Sequence, residues 1–97
     1  DTGVSGEIAD KMGSIIHTMA KNMQVINITH LPQIAAKGKT HFLVYKENQE
    51  LRSTTGIKLL TPEERVVEIA KMLSGEKMSD AAILNARELL KSNGSLN

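Results

Sequence analysis

The stretch Met23 to Gln33, Met-Gln-Val-Ile-Asn-Ile-Thr-His-Leu-Pro-Gln, constrains this chain more than any other. Val25, Ile26 and Ile28 are β-formers in a nearly continuous apolar run, which suits a strand covered on both faces. The run ends in Asn27, Thr29 and His30. Pro32 then stops it and can occupy the first turn of a short helix through Ala36, with Gly38 as a natural stop. A strand that delivers a histidine at its C-terminal end is a common way for an α/β protein to place a titratable group at a ligand crevice.

The rest of the chain is read around that strand. Asp1 to Gly6 is rich in turn formers. Ile8, Met12, Ile15, Ile16, Met19 and Met23 then recur at three- and four-residue spacing, one apolar stripe of a helix that closes at Lys21-Asn22. Ser5 suits its N-cap, Glu7 suits the positive end of its dipole, and Gly13 weakens its middle. Thr40 to Lys46 and Leu51 to Leu60 read as strands joined by the polar turn Glu47 to Glu50, an antiparallel hairpin in which Gly56 suggests a bulge. Thr61-Pro62-Glu63-Glu64 is a capping-box helix start, and that helix stops at Ser74-Gly75. Ser79 caps a last helix whose stripe is Ala82, Ile83, Ala86, Leu89 and Leu90, with Gly94 ending it.

The order is thus α–β–(short α)–β–β–α–α, an α/β arrangement. The first strand has no parallel neighbour in the chain, and three strands with these helices barely cover it. The chain also opens at Asp1 without a methionine. It is therefore expected to be part of a larger sheet in a longer protein.

Ninety-seven residues make at most one small domain. Phe42 and Tyr45 are the only aromatics, so the core must come from Ile, Leu, Val, Ala and the five Met residues. A net charge of +1 leaves no electrostatic footprint for nucleic acid or an anionic membrane. Without cysteine there is neither a disulfide framework nor a Cys-based zinc site, which fits a reducing cytosol. No apolar run approaches the roughly 20 residues that span a bilayer, and no signal-peptide pattern is read.

His30 is the leading candidate for chemistry. It either caps the next helix or binds a backbone carbonyl, or it makes a polar contact to an anionic ligand at the sheet edge. His17 and His41 read as surface or edge histidines. Neither has a His-x-x-x-His or Glu-x-x-His partner, so no metal site is expected. Asp1 to Gly6 holds two glycines, but no Gly-x-x-x-x-Gly-Lys-Ser/Thr string exists here. No Gly-x-Ser-x-Gly elbow is present either. Lys37 and Lys39 flank a turn and read as solvated.

Three segments in order carry a resemblance. They are Asp1 to Glu7 (Asp-Thr-Gly-Val-Ser-Gly-Glu), Met23 to Ala36 with its Thr-His-Leu-Pro-Gln-Ile-Ala-Ala string, and Ala70 to Glu76 with Met-Leu-Ser-Gly-Glu. Together they resemble the C-terminal end of the bacterial RecN family of DNA-repair proteins, SMC-like ATPases with ABC-type heads. The resemblance covers essentially the whole chain. It implies a partial ABC-type ATPase head, acting through ATP and Mg2+ in recombinational repair of DNA double-strand breaks. By the same resemblance His30 matches the switch histidine that contacts the γ-phosphate, with Thr29 and Gln33 in support. Asp1, Thr2, Gly3, Val4 and Ser5 match the D-loop, which crosses to the partner head. Many ABC proteins end that loop in Asp where this chain has Ser5, which puts in doubt the transfer of that aspartate's role. Within the chain the resemblance assigns residues 1–6 to the D-loop, 24–33 to the switch strand, 40–60 to a hairpin and 62–93 to C-terminal helices.

The same resemblance implies a second head as partner, DNA bound through the full-length protein, no membrane, and a cytoplasmic, nucleoid-associated location. The phosphate-binding loop, the signature loop and the Walker B carboxylates are absent from the sequence. Phosphoryl transfer needs such parts together, so the chain alone is expected to bind no nucleotide and to be inactive. Two other outcomes stay open. One is a stand-alone interaction module using the hairpin edge, without nucleotide chemistry. The other is self-association through apolar surface that the rest of a head would cover.

Overall fold

The computed structural model describes residues 6–75 and 77–93. They form a small α/β structure of four helices and one two-stranded antiparallel hairpin: α1 (Gly6–Met19), α2 (Pro32–Ala35), β1 (Phe42–Gln49), β2 (Arg52–Leu59), α3 (Pro62–Ser74) and α4 (Asp80–Ser92). No helix among the described residues is long and apolar enough to cross a membrane.

The expected first strand does not form. Residues 24–30 carry no regular structure, and no hydrogen bond among the described residues involves Gln24 to Ile28. Ile26 is 83% exposed and Ile28 93%. The reason is the partner, not the propensity. A strand exists only where another strand accepts its ladder, and among the described residues β1 and β2 pair only with each other. The stretch thus keeps a strand's composition without a strand's neighbours.

The helix ends obey local chemistry. Thr61 Oγ1 accepts from the Glu64 N–H at 3.2 Å, and Glu64 Oε1 accepts from the Thr61 N–H at 3.0 Å, a reciprocal box with Pro62 at the first position. α3 stops at Gly75, whose φ of 73° lies in the left-handed region that suits glycine. Ser79 caps α4 by accepting from the Ala82 N–H at 3.1 Å. The Ser5 cap expected for α1 and the Gly94 stop lie outside the described residues.

The core lies between α3 and α4. Val66, Ile69 and Ala70 of α3 meet Ala82, Ala86 and Leu90 of α4, and Ala36 joins them from the end of α2. This is the stripe expected for α4. The stripe expected for α1 behaves otherwise: Ile8, Met12, Ile15 and Met19 are exposed, and α1 turns Ala9 and Gly13 inward. The cause is close approach. A Cβ at Gly13 would stand 2.8 Å from Lys37 Cδ and 3.3 Å from the Gln33 carbonyl oxygen. Gly13, read as a weak point, is where α1 meets the segment at α2. The helix also ends earlier than expected, at Met19, with i→i−3 bonds carrying the turn to Asn22.

In the hairpin Phe42 pairs with Leu59 and Gln49 with Arg52, so the turn is Glu50-Leu51 and not Glu47 to Glu50. The register runs unbroken through Tyr45 and Gly56, so Gly56 makes no bulge. It is a glycine because the Tyr45 ring lies over it; a Cβ there would stand 2.4 Å from the ring Cζ. One face of the hairpin presents the directly paired Phe42/Leu59 and Val44/Ile57 to solvent.

Arg65 of α3 is only 5% exposed. Its Nη2 donates to the carbonyls of Ala35 at 2.9 Å, Ala36 at 3.3 Å and Gly38. These carbonyls lie at and just beyond the end of α2, where the helix dipole makes acceptors partly negative; that of Ala35 also accepts from the Gly38 N–H at 3.3 Å. We expect Arg65→Met, which keeps the stem and removes the donors, to destabilise the chain by about 2–3 kcal/mol in urea unfolding. Thr61→Ala is expected to cost about 1 kcal/mol by the same measurement. An Arg65→Met loss no larger than that of Thr61→Ala would contradict the anchoring role.

Candidate functional site

The candidate site is built on the turn before α2. Thr29 Oγ1 accepts from the Leu31 N–H at 3.0 Å, a short loop that closes across His30. Leu31 is extended, with φ −95° and ψ 120°, and Pro32 starts the helix at once. This suits proline, whose missing N–H is no loss in a first turn. His30 stands exposed on this turn. Of the two supporting residues predicted, Thr29 therefore shapes the turn directly. Gln33, one residue into α2, points its amide toward the start of α1: a Cβ at Gly6 would be 3.2 Å from Gln33 Nε2. Gln33 also lines an open depression with Leu73, Asn85, Glu88, Leu89 and Ser92. Asp1, Thr2, Gly3, Val4 and Ser5 lie outside the described residues.

Lys37, read as solvated, is not. Its side chain is 13% exposed, with Nζ 3.3 Å from Asp10 Oδ1 of α1 and 3.0 Å from Asn93 Oδ1 at the end of α4. Its carbonyl oxygen lies 3.4 Å from His17 Nδ1, a long contact for an exposed histidine. Nothing in the sequence near Lys37 announced this. The only hint was Gly13, a glycine inside a helix, which commonly marks close approach.

His41, read as a surface or edge histidine, is half-buried beside Arg65, and its Nδ1 has no hydrogen-bond partner. Burial lowers its pKa, the Arg65 cation lowers it further, and Glu68 opposes both. Glu64 is held well below the usual carboxylate range, first by its hydrogen bond from Lys58 and then by the Thr61 N–H, as its capping role requires. Among the described residues no three His, Asp or Glu side chains are grouped to hold a metal ion.

The fold therefore favours the neutral form of His41. Because its folded-state pKa lies below the unfolded one, this contribution is complete above about pH 6.5 and is lost as pH falls through the folded value. We expect the thermal midpoint to drop as pH falls below about 6.5, and His41→Asn to flatten that part of the profile. An identical profile in the variant would contradict the assignment to His41.

No protein-family model matches the chain. Curated relatives do. A protein named DNA repair protein RecN from Bacillus subtilis is 44% identical over 91 residues, which is 94% of this chain. One of the same name from Streptomyces coelicolor is 41% identical over 91 residues, and one from Rickettsia conorii 40% over 90 residues. The chain spans 16% of the length of each of these relatives.

Proposed function

This chain is homologous, over 94% of its length, to a segment of the DNA repair proteins named RecN, and on that premise we propose that it is the C-terminal part of an ABC-type ATPase head that serves recombinational repair of DNA double-strand breaks. The observation that carries the reading is His30 itself. It stands exposed at the end of an apolar stretch without regular structure, whose Ile26 and Ile28 face solvent. Such a stretch lacks only neighbouring strands. In a larger parallel sheet it becomes an interior strand, and His30 then lies at the sheet's C-terminal edge, where α/β proteins bind nucleotides.

In that setting an imidazole N–H of His30 donates to a γ-phosphate oxygen of ATP. The Thr29 loop and Pro32 fix the direction from which the ring approaches. Phosphoryl transfer needs metal ligands, a phosphate cradle and a water-positioning group together, and this reading assigns them to other parts of the full-length protein and its partner head. Residues 1–5, the proposed D-loop, lead directly into α1. Loss of the γ-phosphate removes the His30 bond and lets the heads part, a switch driven by one lost contact. The near-neutral charge makes this segment a poor main contact for DNA, which other regions bind. The reading places the protein in the cytoplasm with the nucleoid.

The exposed α1 stripe together with Ile26 and Ile28 is, in this account, surface that the rest of the head covers. An isolated chain is expected to self-associate through it. One observation favours the other reading, a stand-alone interaction module: the apolar face of the hairpin at Phe42, Val44, Ile57 and Leu59.

We expect His30→Ala in the full-length protein to lower ATP turnover by at least about tenfold while leaving its melting temperature unchanged. Near wild-type turnover would sink the sensor role. Calorimetry of the isolated chain with ATP and Mg2+ is expected to give no binding heat; micromolar binding would mean an autonomous site.

A further inference from the structure

The two stretches assigned to the nucleotide site, residues 1–5 and His30, each adjoin a helix, and those helices are clasped at one residue. α2 is a single turn of four residues, too short to hold an orientation of its own. What grips it decides where His30 stands. Arg65 holds its C-terminal carbonyls to the core. Lys37, just beyond it, holds α1. The Lys37 stem lies against Gly13 so closely that a Cβ would stand 2.8 Å from Cδ and 3.0 Å from Cε, and the ammonium reaches Asp10 at 3.3 Å and Asn93 at 3.0 Å. At the other end of the same contact Gln33 meets Gly6. α1 and α2 are thus joined at both ends, and Asn93 ties the joint to α4.

We infer that Lys37 is a positioning residue, which holds the His30 turn in register with α1. The inference rests on the proposed sensor role of His30. The Lys37–Asp10 pair is half-exposed on the aspartate side, and pairs of that kind contribute little to stability. Its value is geometric. The ammonium fixes three elements at one point, and a small misplacement of a group contacting a reacting phosphate is costly to rate. Neither the stem nor the ammonium contacts the phosphate; both act through the turn.

The test uses the full-length protein with His30→Ala as reference. Lys37→Met keeps the stem and removes the charge; Asp10→Asn removes its partner. We expect each to lower turnover by about tenfold or more with little change in KM. The double variant should be no worse than either single, and Lys37→Arg should restore most of the rate. A second readout is amide hydrogen exchange in the absence of nucleotide. Lys37→Met should accelerate exchange at residues 29–36 and leave residues 66–90 unchanged. Turnover near wild type in Lys37→Met, or losses that simply add in the double variant, would overturn the inference. So would faster exchange spread evenly over α3 and α4, the mark of general destabilisation. If His30→Ala itself keeps full turnover, the sensor reading fails; if His30→Ala loses turnover and Lys37→Met keeps it, the positioning inference alone fails.

Discussion

A single buried guanidinium organises this chain. Arg65 lies one turn into α3 and gathers the carbonyls of Ala35, Ala36 and Gly38. Burying an arginine is costly unless its donors are used; here Nη2 is used three times, Nε has no partner among the described residues, and burial lowers the pKa. The cost is offset because the acceptors are carbonyls at a helix end, which carry partial negative charge. The bond set joins a segment with almost no core to the one helix pair that has one. The hairpin, α2 and the turn bearing His30 are all placed relative to that joint. His41 is half-buried beside it, which is why its neutral form is part of the fold.

Local chemistry was legible in the sequence, and tertiary context was not. Thr61, Ser79, Pro32 and Gly75 predicted helix ends because caps and stops act within three or four residues. The α4 stripe was legible because α3 precedes it closely enough to be its partner. The α1 stripe was equally clear as a pattern, yet periodicity says which residues are apolar, not whether anything covers them. Residues 24–29 teach the same lesson for strands. Their β-propensity is genuine, but a ladder needs a neighbouring strand, and among the described residues β1 and β2 pair only with each other. The hairpin turn was misplaced because Glu47 to Gln49 are polar and still paired, while Glu50-Leu51 lacks the Asn-Gly or Asp-Gly signal of a two-residue turn.

The candidate site divides in the same way. His30 could be singled out because a histidine between an apolar run and a proline is conspicuous in one dimension. Its support, Thr29, followed from adjacency. Lys37 could not be found, because its partners Asp10 and Asn93 lie far from it in sequence. Gly13 carried the trace of that contact but could equally have been a weak helix position. The residues that touch a ligand tend to advertise themselves; those that hold them in place emerge only when the chain is folded.

The central claim is that the stretch ending in His30 is a strand awaiting its sheet. Amide hydrogen exchange at Val25, Ile26, Asn27 and Ile28 tests it most directly, compared between this chain alone and the full-length protein. The account predicts fast exchange in the isolated chain, where these amides have no partner, and strong protection in the full-length protein, where neighbouring strands accept them. Equally fast exchange in both would contradict it, and with it the place of His30 at the edge of a nucleotide site.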